Sequence, residues 1–344
     1  MVLLQLIVRV VQSKIIKNCR VKNTAVLFAY MEKEMEQSME KKTVDVIIPA
    51  YRPGEGWEQL LRGLENQTWP VHRLIVMNTG KENWKSSYGK TTIPMEVHHV
   101  TRETFDHGKT RDQAARMSQA DYLLFMTQDA LPQDSLLIEK LVRAINQEKK
   151  IGAAYARQLP RDDCRLMERY TRQFNYPAQP RVKWLKDLPE LGIKTYFCSN
   201  VCAMYKRELY LQLGGFVQKT IFNEDMIFAG KLIQNGYGVA YAAEAKVVHS
   251  HNYSALQQFH RNFDLAVSQA DHPEVFAGIR SEGEGIRLVK KTAGWLCRQG
   301  KPWLVIQLVW QSGWKYLGYL MGKRYQKLPR WIINCCTMNS KYWE

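Results

Sequence analysis

No stretch of 18 residues free of polar groups occurs anywhere in this 344-residue chain, so no plain transmembrane helix is expected. Paired cysteine spacing is missing as well. The seven cysteines form no CxxC, which argues against a disulfide framework or a zinc finger and for reduced thiols in a cytoplasm. A secretory signal is lacking: the opening MVLLQLIVRVVQ is mostly apolar only as far as Arg9, with no leading basic region and no small-residue cleavage site. Internal repeats and low-complexity tracts are absent, and 45% hydrophobic with 24% charged residues mark a globular chain of one large or two smaller domains. Acids are scarce, 33 against 49 basic residues, for a net charge of +16. Much of that excess lies from Arg287 onward, where eleven Lys and Arg face one acid, Glu344. No zinc, RNP or helix-turn-helix signature accompanies it, so the expected partner is an anionic membrane surface and not nucleic acid.

Two phosphate-binding motifs also fail. Gly108-Lys109-Thr110 and Gly89-Lys90-Thr91 end like a P-loop, but the glycine needed five positions earlier is Glu103 or Trp84. Gly54 and Gly56 follow the first strand, yet a dinucleotide fingerprint would need its third glycine where Gln59 stands. What is present is alternation. Apolar runs at Thr43–Ala50, Arg73–Asn78, Met95–Val100 and Asp121–Thr127 read as strands, with amphipathic helices at WEQLLRGLENQ and SLLIEKLVRAI. This predicts an α/β fold with a mostly parallel central sheet flanked by helices. Residues 1–42 read as an extension of uncertain role in which Met31, Met35 or Met39 could serve as the start. Residues 266–344 read as a helical, basic C-terminal region. There Gln307, Gln311 and Lys315 form one polar stripe on an otherwise apolar, aromatic helix, a pattern suited to lying in a membrane interface.

In such sheets ligands bind beyond the carboxyl ends of the strands, so Tyr51, Asn78 and the Thr127–Ala130 turn should face one crevice. Asp129, directly after a buried strand, could hold a divalent cation between two phosphates, although aspartate also caps helices. Glu224-Asp225 opens a helix, where a carboxylate can act as a general base or simply as a cap. His249 and His251 project to the same side of a strand end, which suits a metal or a phosphate. The helix start at FDHGKTRDQAA, with Lys109 and Arg111, could favour an anion or be merely solvated. Cys198 and Cys202 read as core residues.

VIIPAYRP, RLIVMNTG, FDHGKTRDQA, FMTQDALP, YARQLPRDD, ERYTRQFNYP, FCSNVCAMYKR, LGGF, FNEDM and VVHSHNYS, in that order, resemble glycosyltransferase family 2, in particular its bacterial rhamnosyltransferase branch. The resemblance spans about Thr43 to Phe263 and implies a GT-A domain over residues 43–265. It also implies a nucleotide-sugar donor, a divalent cation (Mg2+ or Mn2+) and inversion at the sugar carbon. Carried across position by position, it places Pro49, Tyr51 and Asn78 at the nucleoside, where many relatives have aspartate in place of Asn78. Arg111 would reach the base or phosphates, with Thr127 and Gln128 beside the nucleotide sugar. Asp129 matches the last acid of the DxD motif, whose first acid is here Thr127, so His249 is expected to share the metal. Asp225 matches the catalytic base, with Glu224 beside it. Arg157, Gln158, Asn200 and His251 are assigned to the sugar or acceptor. The branch implies dTDP-β-L-rhamnose as donor and a lipid-linked oligosaccharide as acceptor, in cell-surface polysaccharide synthesis at the inner face of the plasma membrane. There Trp303, Trp310 and Trp314 would seat the basic tail. The alternatives are the same fold with UDP-glucose or UDP-galactose, or a non-catalytic membrane- or polyanion-binding protein.

Overall fold

The structure is a computed structural model that describes residues 42–279 and 282–344. The expectations for the N-terminal extension fall outside these residues. Its first half runs β1 (Val44–Ala50), α1 (Gly56–Glu65), β2 (Arg73–Thr79), β3 (Met95–Val100), α2 (His107–Met117), β4 (Tyr122–Met126), β5 (Leu131–Pro132) and α3 (Leu137–Asn146). Next come β6 (Ile151–Leu159), α4 (Leu166–Asn175), β7 (Arg181–Lys183), β8 (Cys202–Lys206), α5 (Arg207–Gln212), α6 (Glu224–Gln234) and β9 (Gly238–Val248). The chain ends in α7 (Ala255–Asp271), α8 (Glu282–Arg298), α9 (Leu304–Gly322) and α10 (Arg330–Cys336). One-turn helices are left unlabelled.

The nine strands form one sheet in the order β3-β2-β1-β4-β8-β6-β9-β5, with β7 also paired to β9. β1 to β4 are mutually parallel, as the alternation of strand and helix predicts, and β6 is parallel to β9. The remaining pairs, β4–β8, β6–β8, β5–β9 and β7–β9, are antiparallel, so the sheet is mixed beyond β4. The reason lies in the run TYFCSNVCAMY, which is not one strand. It bends at Ser199–Val201, and only Cys202–Lys206 enters the sheet, reversed between β4 and β6.

That reversal builds the site. A strand running backwards begins at the edge where its neighbours end, and Met126 of β4 lies opposite Cys202 of β8. The Thr127 N–H then donates to the Val201 carbonyl at 3.2 Å, and the His249 N–H to the Leu159 carbonyl at 2.9 Å. Five carboxyl ends (β1, β2, β4, β6 and β9) and the start of β8 therefore share one edge. Beneath it Phe125, Tyr205, Tyr210, Phe216 and Phe228 pack with ring centroids 4.9 to 6.1 Å apart, a rigid aromatic floor. Cys198 and Cys202 belong to the buried interior, as expected, and the described cysteines are free thiols.

Residues Thr43–Glu344 form one compact unit, and α7 runs straight through position 265 into the C-terminal region. Helix α9 lies directly on α7. A Cβ added at Gly318 or Gly322 would stand only 2.2 or 2.3 Å from the carbonyl oxygens of Phe259 and Phe263, so glycine alone permits this approach. Asp264 of α7 accepts from the Thr337 hydroxyl at 2.7 Å and the Met338 N–H at 2.9 Å, tying down the segment after α10. Among the described residues no helix is long and apolar enough to cross a membrane.

Candidate active site

At the tips of β1 and β4, Gln128 accepts from the Tyr51 N–H at 2.8 Å and donates to its carbonyl at 3.0 Å. Gln128 thus acts as a staple that fixes Tyr51, whose exposed ring lies under the Arg102 and Arg52 guanidinium groups at 4.9 and 5.2 Å. Pro49, one register position before this tip, faces Met77 of β2. Asn78, fully buried at the end of β2, donates from Nδ2 to the Gly80 carbonyl at 2.8 Å and has Nδ2 3.0 Å from His99 Nδ1. Its Oδ1 is buried without a partner.

Around β4, β6 and β9, one carboxylate and two imidazoles come together. Asp129 Oδ2 lies 3.4 Å from His249 Nε2 and 3.2 Å from His251 Nε2, and the three ligand atoms all fall within 4.8 Å of one another. Arg172 donates to Gln158 Oε1, so that atom must accept, and His249 Nδ1 at 3.1 Å must donate to it. This orientation turns the Nε2 lone pair of His249 toward Asp129, the arrangement metal-binding histidines adopt. Burial and the neighbouring His249 ring lower His251 to about 4, so it offers a neutral nitrogen near pH 7. Burial opposes ionisation of Asp129, but the two histidines, when protonated on the nitrogens that face it, outweigh burial and hold the carboxyl below its ordinary range. This donor set fits a divalent ion that takes both oxygen and nitrogen. Sequence reasoning placed His251 with the sugar or acceptor; the structure groups it with Asp129 and His249 too.

The acidic pair sits at the start of α6. Asn223 adopts a left-handed conformation at φ 64°, which asparagine tolerates, and this turn aims Glu224 and Asp225 back at the strand edge. Glu224 is buried and paired with Arg111 at 3.2 Å, which keeps it ionised against the cost of burial. Asp225, only partly exposed, is pushed up by burial and then by the adjacent Glu224 charge, to about 7. Its Oδ2 accepts the Asn200 N–H at 2.9 Å and its Oδ1 the Met226 N–H at 2.8 Å. Asn200 also donates from Nδ2 to Glu224 at 3.1 Å and accepts from the Tyr205 hydroxyl at 2.9 Å. Its polar groups are therefore spent on holding the two acids.

The two halves are joined through Gln158, whose Nε2 donates to Ser199 Oγ at 3.0 Å, next to Asn200. Arg157, one residue back along β6, turns away and donates to the Tyr176 carbonyl at 3.1 Å. Arg111, expected near the nucleotide, donates to the His107 carbonyl at 3.0 Å besides pairing with Glu224. The start of α2 needs no external anion, because the Asp106 side chain already accepts from Gly108 and Lys109 at 2.8 and 2.9 Å. Sequence reasoning named no role for Ser199 or Arg172. Arg172 falls within the ERYTRQFNYP motif, which was the available signal, whereas nothing local marks Ser199.

The strand edge thus gathers a ligand set for a cation and a carboxyl raised toward neutral pH, groups able to hold a phosphate-bearing substrate through a metal and to take up a proton. The profile described as glycosyl transferase family 2 matches residues 45–214. The chain is 37% identical over 305 residues to the O-antigen chain rhamnosyltransferase RfbN of Salmonella typhimurium, covering 88% of this chain and 96% of that protein. It is 35% identical over 308 residues to the O-antigen chain rhamnosyltransferase WbaN of Salmonella anatum, covering 87% and 95%. This protein belongs to glycosyltransferase family 2 and is a glycosyltransferase. Its fold matches that of the mannosyltransferase PcManGT from Pyrobaculum calidifontis, solved with GDP-Man and Mn2+, with a TM-score of 0.56 at 14% identity over 89% of this chain and 97% of the other. The sheet and its helices are thus of the GT-A type, with a helical C-terminal region.

Proposed function

We propose that the enzyme transfers L-rhamnose, with inversion, from dTDP-β-L-rhamnose to a lipid-linked oligosaccharide in surface-polysaccharide synthesis, with a divalent cation as cofactor. The observation that carries this reading is the near full-length similarity to two proteins named O-antigen chain rhamnosyltransferases. The exposed Tyr51 ring would stand against the base, with Asn78 supporting the strand tip beneath it. Asp129, His249 and His251 would hold the cation, Mg2+ or Mn2+, which when bound neutralises charge on the departing diphosphate. Asp225 takes the proton from an acceptor hydroxyl as that oxygen attacks the anomeric carbon; the bond from that carbon to the diphosphate oxygen breaks, and its electron pair leaves with dTDP. A carboxyl near 7 suits this role, being about half ionised at neutral pH and more basic than an ordinary aspartate. Arg111 keeps the neighbouring Glu224 charged, and that charge helps to maintain the basicity of Asp225. Inversion of a β donor yields an α-L-rhamnoside.

We place the enzyme at the inner face of the plasma membrane. Trp303, Ile306, Val309, Trp310, Tyr316 and Leu317 form an exposed apolar stripe on and just before α9, flanked by exposed Lys301, Lys323 and Arg324. Apolar side chains flanked by cations match a surface of anionic lipid. Trp314 is not part of the stripe, since it packs against Phe259 at 5.9 Å. The test is a panel of dTDP-β-L-rhamnose, UDP-glucose and UDP-galactose with nucleotide release as readout in the presence of a lipid-linked acceptor. Release from the dTDP sugar is expected; release only from a UDP sugar would replace the donor assignment.

A further inference from the structure

Helix α9 carries apolar side chains on two sides: Ile306, Val309, Trp310, Tyr316 and Leu317 face out, while Leu308, Trp314 and Tyr319 pack inward, and of its polar stripe Gln307 is exposed whereas Gln311 and Lys315 turn toward the body. There, with Glu168 and Thr171 of α4 and His251 and Asn252 after β9, they line a small pocket open to solvent. Gly318 and Gly322 fix this orientation by seating the adjoining face of α9 on α7. The Lys315 ammonium makes no hydrogen bond or ion pair with any described residue. Glu168 attracts it but is itself bonded to Arg172 at 2.8 Å, and Arg172 repels it. Arg165 adds a second cation at the rim. Asn252 is spent on the wall, accepting from the Arg165 N–H at 2.9 Å and donating to the Asp163 carbonyl at 3.0 Å. Lys315 is half-buried, and a pocket that holds an unpaired cation among polar side chains suits an anion. The pocket opens next to the cation site, since His251 belongs to both.

We propose that this pocket binds the diphosphate of the lipid-linked acceptor, with Lys315 as its principal cation and the acceptor's hydrocarbon chain lying along the exposed stripe of α9. The inference rests on the transferase reading and names the acceptor-head site within it. An amphiphile with an anionic head and a long apolar tail meets both faces of one helix at once, which neither a soluble phosphate nor a neutral lipid does. Farnesyl diphosphate serves as the probe, titrated into the full chain in detergent and followed by tryptophan fluorescence, with farnesol and inorganic pyrophosphate as separate arms. Farnesyl diphosphate should bind at least tenfold more tightly than either arm. Lys315→Gln should weaken it about tenfold or more, Lys315→Arg should restore most of the affinity, and dTDP binding should report an intact fold in both variants. Equal affinity in wild type and Lys315→Gln overturns the proposal, as does displacement of farnesyl diphosphate by dTDP, or pyrophosphate alone binding as well. Turnover of the nucleotide sugar is measured in parallel. Turnover with binding that ignores Lys315 removes the pocket and leaves the transferase; binding that depends on Lys315 without turnover of any nucleotide sugar does the reverse.

Discussion

Replacing Asp225 by asparagine removes the proposed proton acceptor while keeping its volume and leaving Oδ1 to accept the Met226 N–H. General-base catalysis contributes roughly 10²- to 10⁴-fold, so kcat should fall by about that factor with the donor KM little changed. The wild-type pH profile gives a sharper test. With Asp225 pushed up to about 7, only about a tenth of it is ionised at pH 6 and about nine-tenths at pH 8, so kcat/KM should rise about tenfold between the two. Of the candidate metal ligands, His251 at about 4 and Asp129, held below the ordinary carboxylate range, titrate outside that window, and the Asp225→Asn profile isolates the share that belongs to Asp225. Initial rates of dTDP release at fixed cation concentration provide the assay. A flat wild-type profile, or a tenfold slope that survives in Asp225→Asn, would refute the assignment of this residue.

Stability should carry the same signature with a defined sign. A carboxyl raised in the folded state binds protons there more tightly than in the unfolded chain, so Asp225 costs stability as pH rises from about 4 through about 7. Asp225→Asn should therefore be more stable than wild type above pH 7, with the gap closing on acidification; chemical denaturation at pH 8 and pH 5 reads it. Arg111→Met strands the buried Glu224 charge and should cost about 3 to 5 kcal/mol by the same measurement. Gly318→Ala forces a Cβ to 2.2 Å from the Phe259 carbonyl and should destabilise by about 1 to 3 kcal/mol while loosening α9 from α7, seen as faster hydrogen exchange in both helices. Trp310→Asp, on the exposed stripe, should reduce flotation with anionic liposomes without lowering Tm; unchanged flotation would detach α9 from the membrane account.

The sequence carried the strand tips because each functional side chain follows directly on an apolar run: Asn78, Asp129 and His249 can be placed at strand ends from periodicity alone. Asp225 could be read as a helix start for the same local reason. What stayed hidden depends on contacts between distant segments. The reversed entry of β8 brings Asn200 to the edge and spends it on the acids, and no local pattern distinguishes that role from sugar binding. Arg111 lies on a helix whose partner, Glu224, is 113 positions away in the chain. The polar stripe of α9 was visible as a period, but a period says which residues share a face and not which way that face turns. The glycines that decide it, Gly318 and Gly322, signal close packing only once α7 is known to lie against them.

The most direct test of the gathered strand edge is dTDP binding with and without Mn2+, in wild type and in Asp129→Ala and His249→Ala. Mn2+ should tighten dTDP binding to wild type by at least tenfold and leave both variants nearly unaffected. Affinity that does not respond to Mn2+ in wild type, or a full response in both variants, would contradict a single cation-held site at Asp129, His249 and His251.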